Sequence, residues 1–269
     1  METCFFGTDS HRLYGVVHGG AKSAPTTLVF CPPFAEEMVT TYARLARWSK
    51  QLEAEGISVV RFHPFGTGES GGTFREFTLQ SAVSDACTAL EFARQRLRSA
   101  RLGYLGLRLG ATLAVQAACI RPVDLLILWS PIISISQYLR ELVRAQLAKE
   151  MVHQGATSVR RTTNDMLTEL KSAGSMDLLG YEFSHQLYRE MITEWNWPET
   201  PPAKHIIWLS RPAEAKSATP IVEGWKHSRS RIDFAVLPER AFWEEFGSAF
   251  ADQFATTTLD WLQQTARTQ

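Results

Sequence analysis

Short apolar runs alternate with longer stretches of helical periodicity along most of the chain. Apolar runs bounded by turn residues occupy positions 27–31, 57–62, 101–105, 124–129, 205–209 and 232–237. Apolar residues recur every three or four positions over 41–55, 79–97, 111–119 and 250–264. Buried strands that alternate with helices are typical of a parallel sheet covered by helices on both faces. The pattern therefore predicts an α/β fold.

The pattern changes between residues 132 and 200, where it becomes helical and more polar, with a loose Ser/Gly stretch at 172–175. Strand-like runs resume after this segment. We therefore expect a core formed by residues 1–131 and 201–269, interrupted by a helical lid or insertion at 132–200. The segment is rich in arginine and aromatic residues, which suit either a lid over a crevice or an interface with a protein partner.

Composition excludes several classes of partner. The 28 Lys and Arg residues balance 28 Asp and Glu residues, so no overall field attracts nucleic acid. No window approaches the roughly 18 apolar residues of a membrane span, and the N-terminal METCFFG lacks the pattern of a signal peptide. The four cysteines form no C-x-x-C pair, so no metal site or disulfide framework is predicted. We expect a cytoplasmic protein without cofactor.

The stretch GLRLGA at 106–111 follows a predicted strand directly and precedes a predicted helix directly. A strand, a G-x-nucleophile-x-G turn and an immediate helix form the nucleophile elbow of α/β hydrolases, which this stretch resembles. Gly106 and Gly110 stand where the neighbouring backbone should leave no room for a Cβ. Arg108 stands where the nucleophile should be.

Two further motifs extend the resemblance. The loop RFHPFGTGES at 61–70 resembles the arginine, acidic residue and G-x-G-x-S loop after the fourth strand of these hydrolases, with His63 in the acidic position. PPFAEEM at 32–38 and the pair Phe242-Trp243, together with the elbow, look more narrowly like the exosortase-A-system-associated hydrolase type 2 family. This resemblance implies an α/β-hydrolase fold, an ester, thioester or acyl substrate, and a setting of exopolysaccharide and protein sorting.

The resemblance also implies a catalytic triad in the order nucleophile, acid, histidine. Arg108 has no lone pair for a carbonyl and cannot form an acyl-enzyme. None of the seven histidines follows the last predicted strand, where segment 239–245 stands instead. Glu214 is the only candidate acid, and it comes somewhat late in the chain. We therefore predict that the usual Ser-His-acid mechanism is absent.

Four polar side chains are expected at one crevice, because the carboxyl ends of neighbouring parallel strands open onto the same edge of the sheet. Cys31 is either a buried core thiol or a nucleophile paired with His63. His63 either hydrogen-bonds its loop or acts as an acid or base. Ser130 is expected to cap the first turn of the insertion, with contact to a ligand as the alternative. Arg108 is the fourth side chain expected at this crevice.

An arginine on a buried elbow needs a partner, because an unpaired buried charge costs several kcal/mol. Glu36 and Glu37 follow the third strand of the predicted sheet, and we predict that one of them pairs with Arg108. The alternative is that both only begin the next helix, where their charge suits the helix dipole. The residues expected to contact a ligand are Arg108, Glu36, Glu37, Phe34, Leu109 and Ser130.

Three functions remain open at this point. In the first, the crevice binds a small anionic or acyl-bearing ligand, which Arg108 grips through its planar guanidinium. In the second, the protein is an unconventional acyl- or ester-handling enzyme of hydrolase, lyase or acyltransferase type. Arg108 then acts as an electrophile, and His63 or Cys31 takes part in catalysis. In the third, the lid is offered to a protein partner or to a second copy of the chain.

Overall fold

The computed structural model describes residues 1–20, 24–154, 161–193, 195–245 and 252–267. Strands within these ranges are β1 (Glu2–Thr8), β2 (His11–His18), β3 (Thr26–Cys31), β4 (Ile57–Phe62), β5 (Arg101–Leu107), β6 (Val123–Trp129), β7 (Ser175–Leu178), β8 (Tyr181–Ser184), β9 (Ala203–Ser210) and β10 (Arg231–Val236). Helices are α1 (Glu36–Ala54), α2 (Leu79–Leu97), α3 (Leu109–Ile120), α4 (Ile135–Gln154), α5 (Thr163–Ser172), α6 (His185–Ile192), α7 (Pro212–Trp225) and α8 (Asp252–Arg267).

The central sheet has eight strands in the order β1-β2-β4-β3-β5-β6-β9-β10. The two pairings that involve β2 are antiparallel, and the strands from β4 to β10 pair in parallel. Every residue of β3, β4 and β5 is buried, as expected for strands covered on both faces. The predicted α/β fold is confirmed.

Alternate residues of the strands feed two apolar clusters, one on each face of the sheet. Val29 joins the cluster that α2, α3 and α7 cover, whereas Leu28 joins the cluster that α1 and α8 cover. This alternation follows from the two-residue period of a strand. Helices cover both clusters, so polar side chains that could contact a ligand are expected at the ends of the strands.

The sequence pattern did not predict two hairpins, that of β1 and β2 and that of β7 and β8, or helix α7. In the first hairpin, β1 is the edge strand and its side chains are mostly exposed, and polar residues and a glycine interrupt the apolar positions of both β1 and β2. Helix α7 contains Pro212 and Pro220, and prolines argue against a helix when only the sequence is considered. Pro212 stands at the first helical position, where the missing N–H group would have no helical partner. Helix α1 also begins at Glu36, five residues before the predicted start at Thr41.

The segment at 132–200 contains α4, α5 and α6, together with the antiparallel hairpin of β7 and β8. The predicted Ser/Gly loop at 172–175 leads into this hairpin. Phe183 of β8 is buried, and its ring centroid lies 5.7 Å from that of Phe34. Glu190 of α6 accepts hydrogen bonds from the first N–H groups of α2. The segment is therefore packed on the core through both apolar and polar contacts.

Candidate ligand site at the strand-to-helix elbow

The elbow consists of a single residue between β5 and α3. Arg108 follows Leu107 and precedes Leu109, and its backbone has φ 55° and ψ −123°. The Arg108 N–H donates to the carbonyl of Trp129 at 2.9 Å, and its carbonyl accepts from the N–H of Ala111 at 3.0 Å. Residues other than glycine rarely adopt a positive φ, so the backbone of Arg108 is strained. The two hydrogen bonds of its own N–H and carbonyl groups hold it in this conformation.

The two glycines of the elbow are required by close backbone contacts. A Cβ on Gly106 would lie 2.3 Å from the Cα of Ala111. A Cβ on Gly110 would lie 2.2 Å from the carbonyl oxygen of Pro32. Both distances are far inside van der Waals contact, so the expected reason for these glycines is confirmed.

The predicted ion pair of Arg108 is present, and its partner is Glu37. Arg108 Nε lies 3.2 Å from Glu37 Oε1, with both side chains largely buried. Glu36 turns outward and pairs with Lys149 at 3.2 Å. Both glutamates lie in the first turn of α1, so their position also suits the helix dipole.

Glu214, which the sequence offered only as a late candidate for the triad acid, is a second carboxylate partner of Arg108. Helix α7 begins at Pro212, so its first turn brings Glu214 Oε1 to 3.6 Å from Arg108 Nη1. The same oxygen lies 2.9 Å from Nη2 of Arg211. One carboxylate is therefore shared between two guanidinium groups.

Aromatic rings surround the guanidinium of Arg108. Its Cζ lies 4.8 Å from the ring centroid of Trp243 and 5.7 Å from that of Tyr138. The Cζ of Arg211 lies 4.7 Å from the Trp243 ring, so two cations contact this indole. Contacts of this kind add to the ion pairs that hold a buried arginine.

Trp243 follows the last strand of the sheet, where the resemblance implied a histidine. Thr40 of α1 donates its hydroxyl to the carbonyl of Trp243 at 2.6 Å. Arg44 donates to the carbonyls of Phe242 and Glu245, the latter at 2.6 Å. Polar side chains of α1 thus fix the backbone that presents the indole to Arg108.

Burial disfavours the ionised form of Glu37, and the ion pair with Arg108 compensates only in part. Burial raises the pKa of Glu37 to about 7, even though the charge and hydrogen bond of Arg108 act to lower it. Burial also raises the pKa of Tyr138 far above its ordinary value, and the charge of Glu37 adds to the effect. Four buried polar atoms around Arg108 lack a hydrogen-bond partner among the described residues: Glu37 Oε2, Ser130 Oγ, Tyr138 Oη and Trp243 Nε1.

A cavity of about 450 Å³ lies beside Arg108. Its walls come from the loop after β6, the first turns of α4 and α7, and the segment after β10. The lining residues are Arg108, Pro131, Ile132, Ile133, Ser134, Gln137, Tyr138, Glu141, Arg211, Ala213, Glu214, Ser217 and Glu244. This volume is within the range of small-molecule sites. Within the described ranges, no group of three His, Cys, Asp or Glu side chains is placed to hold a metal ion.

Cys31 and His63 lie outside the lining of this cavity. Burial raises the pKa of the Cys31 thiol far above its ordinary value, which favours an inert core thiol. His63 Nδ1 lies 2.7 Å from Glu69 Oε2, so the imidazole binds its own loop. In the part of the chain that the structure describes, no hydrogen bond joins Cys31 to His63, and this does not favour their pairing as nucleophile and base.

The prediction that Ser130 caps the insertion is wrong. Helix α4 begins at Ile135 rather than directly after β6, and the capping side chain is Ser134, whose Oγ accepts from the Gln137 N–H at 3.3 Å. Ser130 instead has a φ of 44° and is fully buried.

Phe34 and Leu109 are buried and lie outside the cavity lining. Phe34 contacts the rings of Phe74, Phe77 and Phe183. Leu109 is the first residue of α3 and belongs to the same apolar cluster. Both contribute to the packing beneath the site.

An eight-stranded, mostly parallel sheet with helices on both faces and a glycine-flanked elbow after β5 defines the α/β-hydrolase fold. Residues 26–197 match the family described as serine aminopeptidase, S33, and the chain belongs to this family of α/β hydrolases. Among curated proteins, no sequence matches this chain significantly.

Solved structures of esterases and hydrolases share the fold at low sequence identity. Est1E from Butyrivibrio proteoclasticus, solved with ferulic acid, has a TM-score of 0.68 and 11% identity, and the match covers 97% of this chain and 98% of Est1E. An esterase of Pyrococcus furiosus has a TM-score of 0.67 and 13% identity, with 98% and 90% covered. The α/β hydrolase GrgF from Penicillium sp. sh18 has a TM-score of 0.64 and 18% identity, with 98% of both chains covered.

No helix in the described ranges is long and apolar enough to cross a bilayer.

Proposed function

We propose that this α/β-hydrolase family member binds a small ligand at the elbow and does not use an acyl-enzyme mechanism. The observation that carries the proposal is Arg108 at the nucleophile position, ion-paired with Glu37 and Glu214. A guanidinium that is paired on two sides offers no electron pair to a carbonyl carbon.

The absence of a histidine base supports the same proposal. All seven histidines precede β10, and the residue beside Arg108 from the segment after β10 is Trp243. An indole N–H donates a hydrogen bond but cannot accept a proton from a nucleophile. Loss of both the nucleophile and the base removes the chemistry of the triad rather than weakening it.

The ligand is proposed to occupy the cavity beside Arg108. Segment 132–200 supplies Gln137, Tyr138 and Glu141 to its wall, which supports the role of a lid. Glu37 and Glu214 already oppose the charge of Arg108, which argues against the expectation that Arg108 grips an anion. In this proposal Arg108 has a structural role, in which its ion pairs fix the positions of Glu37 and Glu214 at the site. We keep the narrower exosortase-associated membership as a proposal that rests on the sequence motifs.

One observation favours the second candidate, an unconventional enzyme. Glu37 lies beside the guanidinium of Arg108, and burial raises its pKa to about 7, close to the value that suits an acid or base at neutral pH. In that case Glu37, rather than His63 or Cys31, would move the proton, and Arg108 would stabilise the developing negative charge.

Labelling with a fluorophosphonate probe tests the first candidate. We expect no labelled serine in the purified protein, whereas an active serine hydrolase in the same reaction is labelled completely. A labelled serine identified by mass spectrometry would refute the proposal.

Turnover of p-nitrophenyl esters and thioesters separates the two candidates. We expect no turnover above the uncatalysed rate by the wild type. Turnover that is lost in Glu37→Gln but kept in Glu36→Gln, its neighbour in the same helical turn, would establish the enzyme instead.

A further inference from the structure

The charges on the cavity wall are not balanced. Among its described lining residues, two are arginines and three are glutamates. Both arginines, Arg108 and Arg211, form ion pairs with Glu214, and Arg108 also pairs with Glu37 outside the lining. Glu141 and Glu244 take part in no ion pair within the described ranges. Both cationic groups of the wall thus have a carboxylate partner, whereas Glu141 and Glu244 have no cationic partner among the described residues.

These two glutamates reach the cavity from different elements. Glu141 lies on α4, one turn after Gln137, whose amide donates to Glu141 Oε1 at 3.4 Å. Glu244 lies in the segment after β10. Both side chains are exposed at the mouth of the cavity, where solvent lowers the cost of keeping them charged.

One observation inside the site agrees with this excess of negative charge, and a second points to a polar ligand. The charge of Glu244 is one of the causes that raise the pKa of the buried Glu37, so its field reaches the side chains around Arg108. Tyr138, which is 3% exposed and lines the cavity, has a hydroxyl without a hydrogen-bond partner among the described residues. A polar group of a ligand in the cavity would give this hydroxyl a hydrogen-bond partner.

We propose that the ligand of this cavity carries a positively charged group, a protonated amine or a guanidinium, that binds Glu141 and Glu244. The inference rests on the proposed ligand-binding function and names its ligand class. An anionic group would meet two uncompensated carboxylates and would have to displace Glu37 or Glu214 from Arg108. A cationic group gains attraction from the mouth of the cavity without breaking either pair.

Three probes of nearly equal size and shape test the charge preference: benzylammonium, benzyl alcohol and benzoate. Their dissociation constants for the full-length protein are measured by ligand-observed NMR at low and high salt. We expect benzylammonium to bind about tenfold more tightly than benzoate, with benzyl alcohol between them, and the difference to shrink with added salt. Equal affinities, or tighter binding of benzoate, overturn the inference.

Paired variants locate the effect. In Glu141→Gln/Glu244→Gln, we expect benzylammonium to bind about fivefold more weakly while benzyl alcohol is unchanged. The matched control is Glu199→Gln/Glu223→Gln, which removes two exposed carboxylates outside the cavity lining and should bind like the wild type. Unchanged binding in the cavity variant overturns the inference. Failure of all three probes to bind overturns the ligand site itself, whereas a fluorophosphonate-labelled serine refutes only the claim about mechanism.

Discussion

Arg108 and Arg61 are both buried near the carboxyl ends of sheet strands, but the groups that surround their guanidinium groups differ. Arg108, at the end of β5, is 8% exposed and has two carboxylate partners. Arg61, in β4, is 7% exposed and forms no ion pair among the described residues. Its Nε donates to His18 Nε2 at 3.3 Å, and its Cζ lies 5.0 Å from the ring centroid of Tyr42.

The residue at position 63 supplies no carboxylate to Arg61. The resemblance implies an acidic side chain two residues after Arg61, but this chain has His63, which takes Glu69 as its partner. Arg61 is therefore compensated by a neutral imidazole and an aromatic face. Burial lowers the pKa of His18 to about 4, and the charge of Arg61 contributes in the same direction, so His18 stays neutral and accepts the hydrogen bond. A buried arginine thus needs compensation, but not always from a carboxylate.

The largest expected effect is that of removing the charge of Arg108. Arg108→Met keeps much of the side-chain volume between the aromatic rings but leaves Glu37 buried without its partner. We expect a loss of about 3–5 kcal/mol in the free energy of unfolding at pH 8, measured by urea denaturation. Arg47→Met, at an exposed position of α1, should change it by less than about 0.5 kcal/mol. A stable Arg108→Met would show that the ion pairs contribute nothing.

The next effect is the pH dependence of the Glu37 contribution. The folded-state pKa of Glu37 is raised from 4.5 to about 7, so the folded chain binds this proton more tightly than the unfolded chain does. The stabilisation from protonated Glu37 is complete below pH 4.5 and is lost as the pH rises through about 7. Relative to Glu37→Gln, which cannot titrate, the wild type should lose up to about 3 kcal/mol across this window.

Urea denaturation of both proteins at a series of pH values measures this difference. The depressed pKa of His18 contributes with the opposite sign, but it is common to both proteins and cancels. Glu36→Gln is the matched control, because it removes a carboxyl from the same turn that faces solvent. A difference between wild type and Glu37→Gln that does not vary with pH would contradict the raised pKa.

Much of the fold was predictable because the buried strands are continuous apolar runs. Helix α2 was predicted with its exact bounds, and β5, α3 and β6 were located to within two residues. The N-terminal hairpin was missed because neither of its strands is a continuous apolar run. The hairpin of β7 and β8 was missed because its short strands lie within a segment of mostly helical pattern.

The site was predictable only where a local rule applied. The elbow followed from the spacing of its glycines, and a partner for Arg108 followed from the cost of a buried charge. The sequence did not distinguish Glu36 from Glu37, because that depends on where α1 begins. Trp243 and Tyr138 reach Arg108 through loops and helix packing that are distant in sequence, so no periodicity marks them. Arg61 shows that the same rule of charge pairing can fail.

A smaller effect is expected at Arg61 than at Arg108. Arg61→Met removes a donor to His18 but leaves no buried carboxylate without a partner, so we expect a loss of about 1–2 kcal/mol. The pKa of His18 should rise, since the charge of Arg61 is one cause of its depression. NMR titration of the His18 ring measures this shift, with Arg47→Met as the control. A loss as large as that of Arg108→Met would remove the distinction between the two arginines.

The smallest effect concerns the aromatic face that Arg61 contacts. Tyr42 is 38% exposed, so its contact with the guanidinium is only partly shielded from water. Tyr42→Leu should reduce the free energy of unfolding by about 0.5–1 kcal/mol, whereas Tyr42→Phe, which keeps the ring, should match the wild type. If Tyr42→Phe loses as much as Tyr42→Leu, the hydroxyl and not the ring stabilises this region. The compensation of Arg61 would then come from His18 alone, and the contrast with the doubly paired Arg108 would be sharper still.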